Sequence, residues 1–230
     1  VPVQLPLNIG LSEAATFASF HAAGNAAPIH ALQRAAEPFL FLWGSAGSGK
    51  SHLLQAACHA AAAQHERSGY LPLALALDAG AEALEGLEDL DLVALDDLHL
   101  VAGMPDWELR LFTLYNRVRE AGGRLLAAAR SAPHALGIEM ADLRSRLVWG
   151  PVFQLQPLDD EGRLAALQLR ARRRGMELPT EVGTFLLRRA PRDLHTLFAL
   201  LDQLDRASLA AQRRLTIPFV RSVLARQGPQ

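Results

Sequence analysis

Cysteine is almost absent: Cys58 is the only one in 230 residues, which excludes an internal disulfide framework and most cysteine-built metal sites. An excess of charge of either sign is missing as well. Lys plus Arg is 23 and Asp plus Glu is 24, a net charge of −1, so the chain is not built to coat nucleic acid. No apolar run approaches the length of a membrane-spanning helix. Residues 1–10 lack the basic start and apolar stretch of a signal peptide. The expectation is a cytoplasmic protein with no membrane attachment. The eight histidines are scattered without a metal-like pair. Lysine is the last scarcity: Lys50 is the sole one, and every other basic residue is arginine. A position that keeps lysine against such a bias requires a compact ammonium rather than a planar guanidinium.

What is present is material for a core. Apolar residues make up 50 % and charged residues 20 % of the chain, enough for one domain with an appendage or for two small ones. Residues 1–8 read as an extended tail, and residues 13–20 and 25–36 as helices, the second with Asn25 as N-cap. Residues 38–43 are an unbroken apolar run of strand length, and 71–77, 91–95, 124–129 and 152–156 read as four more strands. A continuous run rather than an alternating one indicates a strand buried on both faces, as in a parallel sheet. Helices at 50–65 and 106–121 separate them, the second placing Trp107, Leu111, Leu114, Tyr115 and Val118 on one face. Beyond residue 157 only helices follow, at 159–174, 180–189, 192–208 and 217–225. The expected organisation is a tail at 1–10, an α/β domain at 11–156 and a small all-helical domain at 157–230.

Gly44-Ser45-Ala46-Gly47-Ser48-Gly49-Lys50-Ser51 fits the P-loop pattern G-x-x-x-x-G-K-[ST] between a buried strand and a helix. Its glycines let successive N–H groups face phosphate oxygens, and the helix that follows turns its positive end to the same anion. Lys50 is placed to reach the outer phosphates and Ser51 to hold Mg²⁺. With His52, whose ring reads as structural, residues 44–52 form the candidate phosphate-binding segment. Leu92-Val93-Ala94-Leu95-Asp96-Asp97 is an apolar strand ending in carboxylates, with Asp96 as a Mg²⁺ ligand and Asp97 as the group that orients a water. Arg144 and Arg146 lie in Asp142-Leu143-Arg144-Ser145-Arg146-Leu147-Val148-Trp149-Gly150. Read by itself, Arg146 is a solvated surface arginine.

Together with Arg192 just after Pro191, these motifs resemble the DnaA-related family of AAA+ ATPases, most closely the branch that inactivates the initiator. Leu114-Tyr115-Asn116-Arg117, Leu155-Gln156-Pro157-Leu158 and Leu201-Asp202-Gln203-Leu204-Asp205-Arg206-Ala207-Ser208 carry the likeness through the chain. The resemblance implies an AAA+ α/β fold with a helical lid and an ADP-bound nucleotide site. It implies Arg146 as an arginine finger acting in trans on nucleotide held by DnaA, Arg192 as the lid arginine, and Phe20, Gly24 and Asn25 beside the base. It also makes Gln4, Leu5, Leu7 and Ile9 a peptide for the sliding clamp, the β subunit of DNA polymerase III, with Pro6 a departure from the usual motif. Ala127, Ala128 and Ala129 stand where the family keeps a polar sensor, and Asp97 replaces a common glutamate. Both imply weak ATPase activity or none in the chain itself. No helix-turn-helix segment follows the lid, so sequence-specific DNA binding is not expected. A homodimer, a helicase-loading role and a self-sufficient P-loop ATPase stay open.

Overall fold

The computed structural model describes residues 11–12, 15–191 and 193–225. Gln4, Leu5, Leu7, Ile9 and Arg192 therefore lie outside the described residues. The chain divides into two compact units between Pro157 and Leu158.

In the first unit, β1 (Phe39–Trp43), β2 (Ser68–Pro72), β3 (Leu92–Asp96), β4 (Arg124–Ala129) and β5 (Val152–Gln154) form one parallel sheet in the order β2-β3-β4-β1-β5. The expected five-stranded parallel sheet is thus present. Every residue of β3 is buried, as a central strand covered on both faces demands. Side chains alternate between two cores. Phe39, Phe41, Val93, Leu95, Leu125 and Ala127 face α4 (Pro105–Glu120) and α5 (Ala141–Arg146). Leu40, Leu42, Leu92, Ala94, Leu126 and Ala128 face the other way, with Leu32 of α1 (Ala26–Arg34) and Leu53, Leu54 and Cys58 of α2 (Lys50–Ala63). Burial pushes the Cys58 thiol up to about 12, so it is an inert packing group. All five apolar residues expected on the inner face of α4 are buried.

Two expected elements differ. The strand expected at 71–77 is instead β2 (Ser68–Pro72), followed by the short helix α3 (Leu73–Ala76). Parallel pairing with β3, not apolar content, sets β2: Ser68 stands opposite Leu92 and Pro72 opposite Asp96. As an edge strand it tolerates Gly69 and Pro72, while Leu73-Ala74-Leu75-Ala76 consists of strong helix formers. In place of a helix at 13–20, the described residues make a 3₁₀ turn, Phe17–Ser19, which the Thr16 and Ser19 side chains cap. Asn25 occupies the N-cap position of α1 but makes no side-chain cap bond. Its amide instead donates to the Gln156 carbonyl at 3.0 Å and accepts from the Gln156 N–H at 2.8 Å.

The second unit comprises α6 (Asp160–Arg173), α7 (Thr180–Arg189), α8 (Leu194–Ala211) and α9 (Ile217–Ala225). Its separate core contains Leu167, Val182, Leu186, Leu201, Leu204 and Val220. Asp159 and Asp193 cap α6 and α8 by accepting from Gly162 and Thr196 N–H groups. Arg170 forks onto Asp202, binding α6 to α8. No described helix is long and apolar enough to cross a membrane.

Candidate nucleotide site

Residues 44–49 leave the carboxyl end of β1 and lead into α2. Two glycines there are sterically required. A Cβ on Gly44 would lie 2.8 Å from the Leu155 carbonyl oxygen, and one on Gly49 would lie 2.5 Å from the Phe20 ring. Gly49 also has φ +97°, in the left-handed region that glycine adopts without strain. The Phe20 ring thus lies directly on the phosphate loop. His52 meets it edge-on at 5.4 Å and binds Thr16 O and Ser19 Oγ through Nε2, which agrees with a structural ring. Both amide donors of Asn25 are directed to backbone carbonyls, of Ala23 and Gln156. Its side chain therefore fixes the chain beside Gly24 rather than reaching outward.

Lys50 is the first residue of α2 and is buried. Its ammonium donates to the Gly44 and Ser45 carbonyls at 2.8 and 2.9 Å. Burial pulls its pKa down, Asp96 and Asp97 oppose that, and Arg130 adds to it. Asp96, at the end of β3, is 1 % exposed and accepts from the Tyr70 hydroxyl at 2.8 Å and from the Asp97 N–H at 2.9 Å. Burial raises its carboxyl, while hydrogen bonds from Ser51 and Tyr70 act the other way. The structure therefore brings Ser51 and Asp96 together as oxygen donors at the mouth of the loop, a donor set suited to Mg²⁺ that also binds phosphate. The buried Ser48 hydroxyl has no partner among the described residues. A loop that only a glycine backbone can trace, a buried ammonium and this hydroxyl-carboxylate pair fit a nucleoside polyphosphate with Mg²⁺.

Asp97 adopts a left-handed backbone, φ +58°, which costs a non-glycine residue about 1 kcal/mol. Such strain is concentrated at functional sites. His99 follows in a 3₁₀ turn. Both its ring nitrogens are buried without a hydrogen bond, Nδ1 lying 3.9 Å from Asp97 Oδ1. Tyr70, His99 and Arg130 were not legible as site residues, because strand register and the turn after β3 bring them here. Only Tyr70 left a trace, as a hydroxyl in an otherwise apolar segment.

Arg146 ends α5. It is not simply outward, as expected from the sequence. Its guanidinium lies 3.8 Å from the Trp149 ring centroid and 5.4 Å from that of Phe112, and its Nε is buried without a partner. Trp149 packs edge-on against Phe39, which stacks on Tyr115. The sequence misses this because the ring reaches the arginine only where Gly150 crosses β1. A Cβ on Gly150 would fall 1.7 Å from the Phe39 carbonyl oxygen. Gly150→Ala is therefore expected to destabilise the protein by about 2–3 kcal/mol, read as a lower urea midpoint at unchanged slope. The start of α5 is fixed by Glu108, a buried carboxylate that accepts from the Gly103, Glu139 and Met140 N–H groups at 2.7–3.1 Å.

The second unit matches the family model of the Hda lid domain over residues 160–224. Among solved structures, domain III of the Thermotoga maritima replication initiation protein DnaA is 22 % identical with a TM-score of 0.77, covering 94 % of this chain and 98 % of that one. AMPPCP-bound DnaA from Aquifex aeolicus is 24 % identical with a TM-score of 0.66, over 84 % of this chain and 66 % of that one. The Thermotoga maritima RuvB branch migration motor shares the fold at 14 % identity and a TM-score of 0.63, over 89 % of this chain and 67 % of that one. The chain thus has the fold of these solved structures, and its second unit, over residues 160–224, is of the Hda lid type.

Proposed function

We propose that this chain is a cytoplasmic, ADP-bound adaptor that sits on the DNA-loaded sliding clamp and stimulates hydrolysis of ATP held by the initiator DnaA, so that replication does not restart. The observation that carries the reading is the Hda lid domain at residues 160–224, joined in one chain to a P-loop unit. Lys50, Ser51 and Asp96 are the residues that would hold Mg²⁺ and the phosphates of ADP, a ligand that supplies a structural anchor rather than a reactant. Arg192 is proposed as the lid arginine for that nucleotide, with Phe20, Gly24 and Asn25 on its base side. Arg146 is proposed to enter the DnaA nucleotide site, where an arginine supplied in trans is worth about 10³ to 10⁵ in rate. The three alanine side chains at the end of β4 support a chain that does not turn over its own nucleotide.

The direct test is hydrolysis of DnaA-bound ATP with and without clamp-loaded DNA. Stimulation that needs both this chain and the loaded clamp is expected. Capture of the replicative helicase with no effect on DnaA would point to helicase loading instead. The tail carries a separate expectation. An extended segment docks by its own alternate side chains, so the double change Gln4→Ala and Leu5→Ala should abolish co-elution with the clamp while ADP titrates as in the parent protein. Undiminished co-elution would refute the tail assignment.

A further inference from the structure

β4 lies between β3 and β1 in the sheet, so its carboxyl end opens between the Asp96-Asp97 pair and the phosphate loop. Its last three side chains, Ala127, Ala128 and Ala129, are methyl groups that can bind no phosphate. The chain brings a cation to this place one residue later. Ala129 stands opposite Trp43, and the Gly44 N–H donates to the Ala129 carbonyl at 3.3 Å. Arg130 therefore leaves the strand beside the first residue of the loop. Its side chain is exposed and makes no ion pair among the described residues.

Two further observations mark the same space as one built for a ligand. His99 keeps both ring nitrogens buried and without a partner beside Asp97, and the buried Ser48 hydroxyl in the loop is unpartnered too. Charge points the same way. Around the loop the carboxylates of Asp96 and Asp97 outnumber the one ammonium of Lys50, so a cation beyond Mg²⁺ favours a polyphosphate there. Arg130 is close enough for its charge to act on both Lys50 and His99, after burial as the larger cause in each.

We propose that Arg130 is a phosphate-binding residue of this chain's own nucleotide site, supplying from the turn after β4 the contact that Ala127, Ala128 and Ala129 cannot make. The inference rests on the reading of residues 44–52 as a nucleotide site. A guanidinium presents a planar fork that matches phosphate oxygens two at a time, so a residue one step beyond the strand can do what a short polar side chain would do on it.

The test is calorimetric titration of the full chain with Mg²⁺-ADP and with Mg²⁺-ATP. The parent protein, Arg130→Ala, Arg130→Gln, Arg130→Lys and a control at an exposed arginine of α1, Arg34→Ala, are compared. Arg130→Ala and Arg130→Gln should bind at least tenfold more weakly, Arg130→Lys should fall between them and the parent, and Arg34→Ala should match the parent. Because the side chain is exposed, thermal melting without nucleotide should be the same for all. If the parent binds and both neutral variants bind equally well, the assignment of Arg130 is overturned while the nucleotide site stands. If the parent binds neither nucleotide, the reading of residues 44–52 fails and this inference falls with it.

Discussion

Arg146→Ala is expected to lower the stimulated hydrolysis of DnaA-bound ATP by about 10³-fold or more, with clamp binding and ADP affinity retained. The geometry sharpens this expectation in two ways. First, the guanidinium lies over the Trp149 ring, 3.8 Å from its centroid, and that contact holds the side chain in place. An arginine held like this loses less side-chain freedom on reaching a phosphate. Arg146→Lys should therefore fail almost as badly as alanine, since an ammonium has neither the fork nor the stacking face. Second, the contacts with Trp149 and Phe112 mean that the change also touches the fold. A partly exposed cation–π contact is worth about 0.5–1 kcal/mol, and a loss of that size in urea unfolding is expected. Arg144 serves as the internal control. It points about 200° away on the helix, is exposed, and already donates to the Ile138 carbonyl at 3.2 Å. Its replacement should cost far less stimulation. Full stimulation of DnaA by Arg146→Ala would rule out the trans mechanism for this protein.

Lys50→Ala should weaken ADP binding by roughly ten- to a hundredfold, the worth of a charged hydrogen bond of about 1.5–3 kcal/mol. The fold should tolerate the change, because opposing effects meet at this side chain. Burial of the ammonium is unfavourable, as its lowered pKa reflects, and alanine removes that cost. Alanine also takes away the donor that satisfies the Gly44 and Ser45 carbonyls. The expected result is a melting temperature close to the parent's without nucleotide, and loss of the upward shift that ADP gives the parent protein. ADP affinity and melting shift equal to those of the parent would refute the assignment of Lys50.

The sequence by itself determined the architecture. The continuous apolar run at 38–43 announced a buried parallel sheet, and the strand expected at 124–129 is β4 to the residue. Helical periodicity placed α4 with its inner face, and α7 and α9 match their expected bounds. These are local signals: each element's own residues carry the pattern, whatever they pack against. The P-loop and the Asp96-Asp97 strand end were legible for the same reason, because phosphate chemistry fixes residue types at short spacing.

What only the tertiary structure decided depends on neighbours remote in the chain. β2 starts at Ser68 because β3 offers Leu92 as its partner, although Ser68 and Gly69 are poor strand formers. That register carries the Tyr70 hydroxyl to Asp96 across 26 positions of sequence. Asn25 looks like a helix cap locally, yet its amide is directed to Gln156, 131 residues away. Arg146 reads as a surface arginine until Gly150, pressed against the Phe39 carbonyl, brings Trp149 beneath it. Arg130 is one of 22 arginines in the sequence, distinguished only by the strand order that opens β4 between the phosphate loop and the two aspartates. Periodicity reports how a segment buries its own surface. Which charges and rings then meet is set by strand order and register, and these are properties of the folded sheet.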